Sequence, residues 1–93
     1  MLLHIGENRF VPVESIVAIV PAQGVSRDTE RLIRDCVEIG RYYPSYGQPK
    51  AYVVATRDDA TYVYAAATAV ETLRERIRDL GGSGIGSIIS TVE

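Results

Sequence analysis

Ala51-Tyr52-Val53-Val54-Ala55-Thr56-Arg57-Asp58-Asp59-Ala60-Thr61-Tyr62-Val63-Tyr64 is the stretch whose reading decides the fold. Two runs rich in β-branched and aromatic residues flank an Asp-Asp pair, whose short polar side chains suit the backbone of a turn. The stretch is therefore expected to fold back on itself as a hairpin. Alternation sends Tyr52, Val54 and Thr56 to one side of the first strand and Val53 and Ala55 to the other. Tyr62 and Tyr64 share a face of the return strand, and with Tyr52 they are expected to form a cross-strand aromatic patch. That patch is either ordinary sheet packing or a contact with another subunit, so Tyr52, Tyr62 and Tyr64 are candidates for oligomer contact. Just ahead runs Tyr42-Tyr43-Pro44-Ser45-Tyr46-Gly47-Gln48-Pro49-Lys50, a proline-broken aromatic loop that brings the one lysine of the chain to the base of the hairpin. A working surface is expected at this loop.

Toward the amino end, Leu2 to Ile5 and Arg9 to Val13 are β-type runs around Gly6-Glu7-Asn8, a second hairpin signal. His4 points away from the side taken by Leu3 and Ile5. Pro12 suits a strand end or edge, because it has no amide proton for a ladder. Ile16-Val17-Ala18-Ile19-Val20, bounded by Pro21, reads as a strand buried on both faces and is expected at the centre of the sheet. Ser26 is a plausible N-cap for a helix from Arg27 to about Ile39, with Gly40 as its stop. Leu32, Ile33, Cys36, Val37 and Ile39 give its apolar side, which makes Cys36 a packing residue. Arg27, Arg31 and Arg34 share another side, open to two readings: a solvated, ion-paired face or a stripe that tracks phosphates.

Toward the carboxyl end, Thr68 can cap a helix over roughly Ala69 to Leu80. The stripe Val70, Leu73, Ile77 and Leu80 is long for so small a core, so Val70, Leu73 and Ile77 are also oligomer-contact candidates. Gly81-Gly82-Ser83-Gly84-Ile85-Gly86 reads as a flexible connector. It follows a helix and lacks a Gly-Lys-Ser or Gly-Lys-Thr ending, so it is not a phosphate loop. Ser87 to Val92 has strand composition and either stays loose or adds a strand to an exposed edge. The whole is α+β, a small mainly antiparallel sheet with two helices in the order β-β-β-α-β-β-α, followed by a tail. Residues 1–80 form a single domain and residues 81–93 the connector and tail.

Ninety-three residues suffice for one core. No run of about 18 apolar residues occurs and the amino end has no signal-peptide pattern, so a cytoplasmic protein without membrane contact is expected. One cysteine and one histidine leave neither a disulfide nor a metal-ligand cluster of the usual spacing. No residue trio suggests nucleophile, base and orienter, and Asp58 and Asp59 are adjacent, so their side chains diverge. Neither enzyme chemistry, a cofactor nor a small-molecule substrate is expected. The net charge of −2 argues against a typical basic nucleic-acid-binding domain. Against that, nine of the ten basic residues are arginine, whose planar fork suits phosphate.

Leu3-His4-Ile5-Gly6, Ile16-Val17-Ala18-Ile19-Val20, Tyr46-Gly47-Gln48-Pro49-Lys50 leading into Ala51-Tyr52-Val53-Val54, and Glu71-Thr72-Leu73, in this order and spacing, resemble the bacterial extracellular matrix regulatory proteins RemA and RemB. The resemblance runs from about residue 2 to residue 78. It implies a small DNA-binding protein that forms a ring-like homo-oligomer and activates biofilm matrix genes, with a fold similar to the LytTR type of DNA-binding domain. Where RemA-type proteins carry paired arginines after the loop Tyr-Gly, this chain has Gln48 and Pro49, and its third strand opens with Glu14-Ser15 where they have an arginine. The Gly-x-Pro-Lys wording is closer to the RemB branch. The nucleic-acid-binding candidates are Arg41, Lys50 and Arg57, the bases flanking loop and hairpin, with Tyr46 and Gln48 as hydrogen-bond donors to the phosphate backbone. An oligomeric protein-interaction module without DNA binding is the alternative.

Overall fold

Glu7-Asn8 and Asp58-Asp59 all adopt positive φ, between 53° and 63°. Two successive residues of this conformation make the turn whose twist matches antiparallel strands. Each pair therefore closes a two-residue hairpin. The computed structural model of the chain describes residues 1–80, and the expectations for residues 81–93 lie outside them. Strands β1 (Leu2–Gly6) and β2 (Arg9–Pro12) form the first hairpin, and a 3₁₀ turn at Val13–Ser15 leads into β3 (Ile16–Pro21). Helix α1 (Arg27–Glu38), the two-residue strand β4 (Tyr42–Tyr43), the hairpin β5 (Ala51–Arg57) and β6 (Ala60–Ala66), and helix α2 (Val70–Asp79) complete the described chain. The protein is α+β: β3, β5, β6 and β4 make one four-stranded sheet in that order, and β1–β2 is a separate two-stranded sheet.

The sheet order corrects one expectation. β3 stands at an edge, and β5 and β6 occupy the centre. Ile19 and Val20 are buried on opposite faces, as the apolar run implies, but Val17 is about half exposed. A continuous apolar run reports two covered faces and says nothing about how many neighbours the strand has. The other edge holds β4, a stretch whose sequence reads as loop; it pairs in parallel with β6, Tyr42 beside Val63 and Tyr43 beside Tyr64.

Alternation along β5 builds two cores. Ala51, Val53 and Ala55 face the first hairpin and α2, where they meet Leu3, Ile5, Val11, Ile19, Leu73 and Ile77. Val54 faces α1, with Val63 and Cys36, and Tyr52, Leu32 and Ile33 pack against that cluster. Three layers result, with the four-stranded sheet in the middle. On α1, Val37 and Ile39 leave the buried stripe and stand more than half exposed. Burial holds the Cys36 thiol above its ordinary pKa, which suits packing and not nucleophilic chemistry.

The sequence marks Val70, Leu73 and Ile77 as candidates for contact with another subunit. They are buried inside this chain, Leu73 completely, so the stripe of α2 is core and that expectation is corrected. The stripe is long for the four-stranded sheet alone, but the β1–β2 hairpin, lying over the same sheet face, supplies much of its partner surface. α2 also begins later than a Thr68 cap implies. Its N-cap is Ala69, without a side-chain cap, because the Thr68 hydroxyl donates to the Ile5 carbonyl at 2.9 Å. With the Arg76 guanidinium donating to the His4 carbonyl at 2.7 Å, this ties α2 to β1. Gly6 passes beneath the tie at φ +105°, where an added Cβ would lie 2.8 Å from the Thr68 hydroxyl oxygen. Among the described residues, no helix is long and apolar enough to cross a membrane.

Two substitutions check this packing. Leu73→Ala is expected to cost about 2–5 kcal/mol, lowering the urea midpoint equally at low and high protein concentration. A change in self-association with an unaltered midpoint would contradict burial within the chain. Gly6→Ala is expected to cost about 1–3 kcal/mol through backbone strain and the hydroxyl clash, and wild-type stability would contradict it.

Candidate nucleic-acid interface

The end of α1 sets the geometry of the site. Gly40, at φ +77°, stops the helix; its amide donates to the Val37 carbonyl, and the Arg41 amide donates to the Cys36 carbonyl at 2.8 Å. This paired-bond stop reverses the chain at a defined angle. The Arg41 carbonyl then accepts from the Val63 amide at 3.0 Å, which seats β4 against β6 and puts Arg41 beside Tyr62. At the far end of β5, Arg57 approaches the same ring. The guanidinium carbons of Arg41 and Arg57 lie 5.9 and 5.2 Å from the Tyr62 ring centroid, within cation–π range.

Tyr62 belongs to a row of rings. Tyr43 stacks on Tyr64 with centroids 4.8 Å apart and planes 10° from parallel, and it faces Tyr62 at 6.3 Å and 25°. Tyr52 is not in the row. It pairs with Ala65 while Val53 pairs with Tyr64, so Tyr52 points to the opposite face, against the α1 cluster with Tyr42. The expected Tyr52–Tyr62–Tyr64 patch is corrected accordingly. Neighbours directly across an antiparallel pair share a face, and Tyr52 and Tyr64 are offset by one residue from that relation.

Two residues of this surface escape sequence reading. Tyr43 joins through the parallel β4–β6 pairing, which a two-residue strand gives almost no pattern to foresee. Arg9, at the start of β2, donates to the Tyr43 carbonyl at 3.3 Å. Arg57 is held even more firmly protonated by hydrogen bonding to Tyr62 and by the nearby Tyr64. Burial, and then Tyr43, keep the Tyr64 hydroxyl above its ordinary pKa, so it stays neutral and able to donate at physiological pH. Neither Arg41 nor Arg57 is paired with a carboxylate of the described residues. Positive charge, aromatic faces and hydroxyl donors thus meet at one edge of the sheet.

Of the nucleic-acid candidates, Arg41 and Arg57 are brought together and Lys50 is not. Lys50 precedes β5 and Arg57 ends it, a separation of roughly 24 Å at the rise of a strand. That is well beyond a screening length of about 8 Å, so the two charges act independently. The Lys50 amide donates to the Ala66 carbonyl at 2.7 Å, and its side chain lines a groove with Pro21, Ala69, Val70 and Glu71 at the start of α2. Tyr46 and Gln48 are exposed on the connecting loop, Tyr46 at 91 %. The loop is anchored where the Tyr46 amide donates to the Glu7 carboxylate at 2.7 Å. Among the described residues no group of three or more histidine, cysteine, aspartate or glutamate side chains is placed to hold a metal ion. The chain matches no protein-family model, and no curated protein matches it significantly.

Proposed function

We propose that this chain is a cytoplasmic DNA-binding transcriptional regulator of the extracellular-matrix type, acting as a ring-like homo-oligomer. The observation that carries the reading is the convergence of Arg41 and Arg57 on Tyr62 without a described carboxylate between them. Two guanidinium groups over one ring with no described carboxylate beside them favour an outside anion, and a guanidinium meets phosphate oxygens with two parallel donors. One such cluster is a weak site. Repetition around an oligomer multiplies it, which is how a protein of net charge −2 can hold a polyanion. The resemblance to the RemA and RemB proteins supports the same reading.

Self-association has its own support. On the outer face of the first hairpin, Met1, Leu2 and Phe10 are 59 %, 57 % and 56 % exposed, and the His4 ring packs tilted against Phe10, with centroids 4.9 Å apart. An apolar face of this kind suits contact with a further copy. It also favours a second reading, an oligomeric interaction module that binds protein and not DNA.

A mobility-shift assay at low salt separates the two. The first reading expects retardation of duplex DNA, weakened several-fold by Arg41→Gln or Arg57→Gln, with the salt slope falling by about 0.9 for each phosphate the variant no longer neutralises. Absence of retardation at tens of micromolar assembled protein contradicts it. Light scattering addresses assembly: Phe10→Ser is expected to shift the chain toward smaller species, and an unchanged mass would exclude that face.

A further inference from the structure

We infer that the row of Tyr43, Tyr62 and Tyr64, with Arg9, Arg41 and Arg57 around it, is a site for an unpaired nucleotide, the rings taking the base and the guanidinium groups its phosphate. The inference rests on the nucleic-acid reading above and narrows it. Phosphates of a closed duplex would satisfy the arginines and leave the exposed surface of Tyr43 unused, because the bases are stacked inside the helix. An acidic peptide would do the same.

The chemistry of the surface asks for both halves of a nucleotide. Three rings stand nearly parallel, 10° and 25° apart, and Tyr43 is 37 % exposed. Tyr43 is the ring that both others stack on, and its exposed part offers the π-surface that a splayed base stacks on, irrespective of its identity. The charges belong to the same surface: the Arg41 and Arg57 guanidinium groups lie over the Tyr62 ring, within 6 Å of its centroid, which leaves the base to Tyr43, and the Arg9 guanidinium is bonded to the Tyr43 carbonyl. A phosphate attached to a stacked base would thus meet guanidinium donors without the ligand leaving the platform. Tyr64 keeps a neutral hydroxyl there, a donor that does not repel an anion. Because β4 is held by the α1 stop and by its pairing with β6, the platform is formed before any ligand arrives.

Fluorescence anisotropy on the full chain tests this with a labelled single strand of about 20 nucleotides and with the duplex of the same sequence. The single strand is expected to bind at least about tenfold more tightly than the duplex at equal salt, and Tyr43→Ala to weaken strand binding about 5- to 150-fold, the range that loss of one base stack implies. Duplex binding by that variant is expected within about twofold of wild type. Tyr43→Phe, which keeps the ring, is expected to retain the strand affinity. Should Tyr43→Ala fail to fold, Arg57→Gln on the exposed strand end gives the second readout, weakening the strand and lowering its salt slope. Competition by the free mononucleotide at equal nucleotide concentration would uphold the site and assign a free nucleotide as occupant, while no competition assigns the strand. Duplex binding with no strand preference and no effect of Tyr43→Ala overturns the inference and leaves the DNA-binding reading standing. Absence of binding to either DNA overturns both.

Discussion

The register between β5 and β6 is the constraint on which the rest of the structure depends. Asp58 and Asp59 close the hairpin in two residues, so Arg57 must pair with Ala60, and every later pair follows from that one. A slip of one residue would carry Val53 and Ala55 out of the larger core and bring Tyr52 and Val54 into it. The same register sends Tyr62 and Tyr64 to the face opposite Val63. Val63 is then free to anchor α1, and the tyrosines to meet Tyr43.

The candidate surface grows from two further pieces of backbone. Gly40 stops α1 so that Arg41 bonds to both the helix and β6, and β4 extends the sheet by two residues. The first hairpin, tied to α2 by Thr68 and Arg76, covers most of the face on which Tyr62 and Tyr64 lie, and its Arg9 reaches the rim. Tyr64 packs against the larger core, while Tyr43 keeps 37 % of its surface exposed, which agrees with a role in contact with something outside the chain.

Hairpins, helix extents and the composition of both cores are largely legible in the sequence, since each rests on local turn chemistry or on one period of alternation. Glu7-Asn8, Asp58-Asp59, Ser26 and Gly40 act within a few residues of themselves. Sheet order is not legible: the run Ile16 to Val20 is as apolar as a central strand, and its edge position depends on where β4 goes. The covering of α2 by the first hairpin is equally hidden, and with it the burial of Val70, Leu73 and Ile77. At the site, Arg41 and Arg57 stand out as bases flanking the hairpin, but their meeting at Tyr62 depends on the fold. Lys50 looks equivalent in sequence and is separated from them by the length of β5.

Electrostatics and geometry therefore point to the β4–β6 edge, away from the lysine loop, as the surface on which the proposed function turns. Amide chemical-shift mapping of the full chain during titration with DNA tests that most directly. The expected result is a set of shifts at Arg41, Tyr43, Arg57 and Tyr62 that saturate together, with the Lys50 and Glu71 amides unmoved. Shifts confined to Lys50 and the start of α2, or none at all, would contradict it.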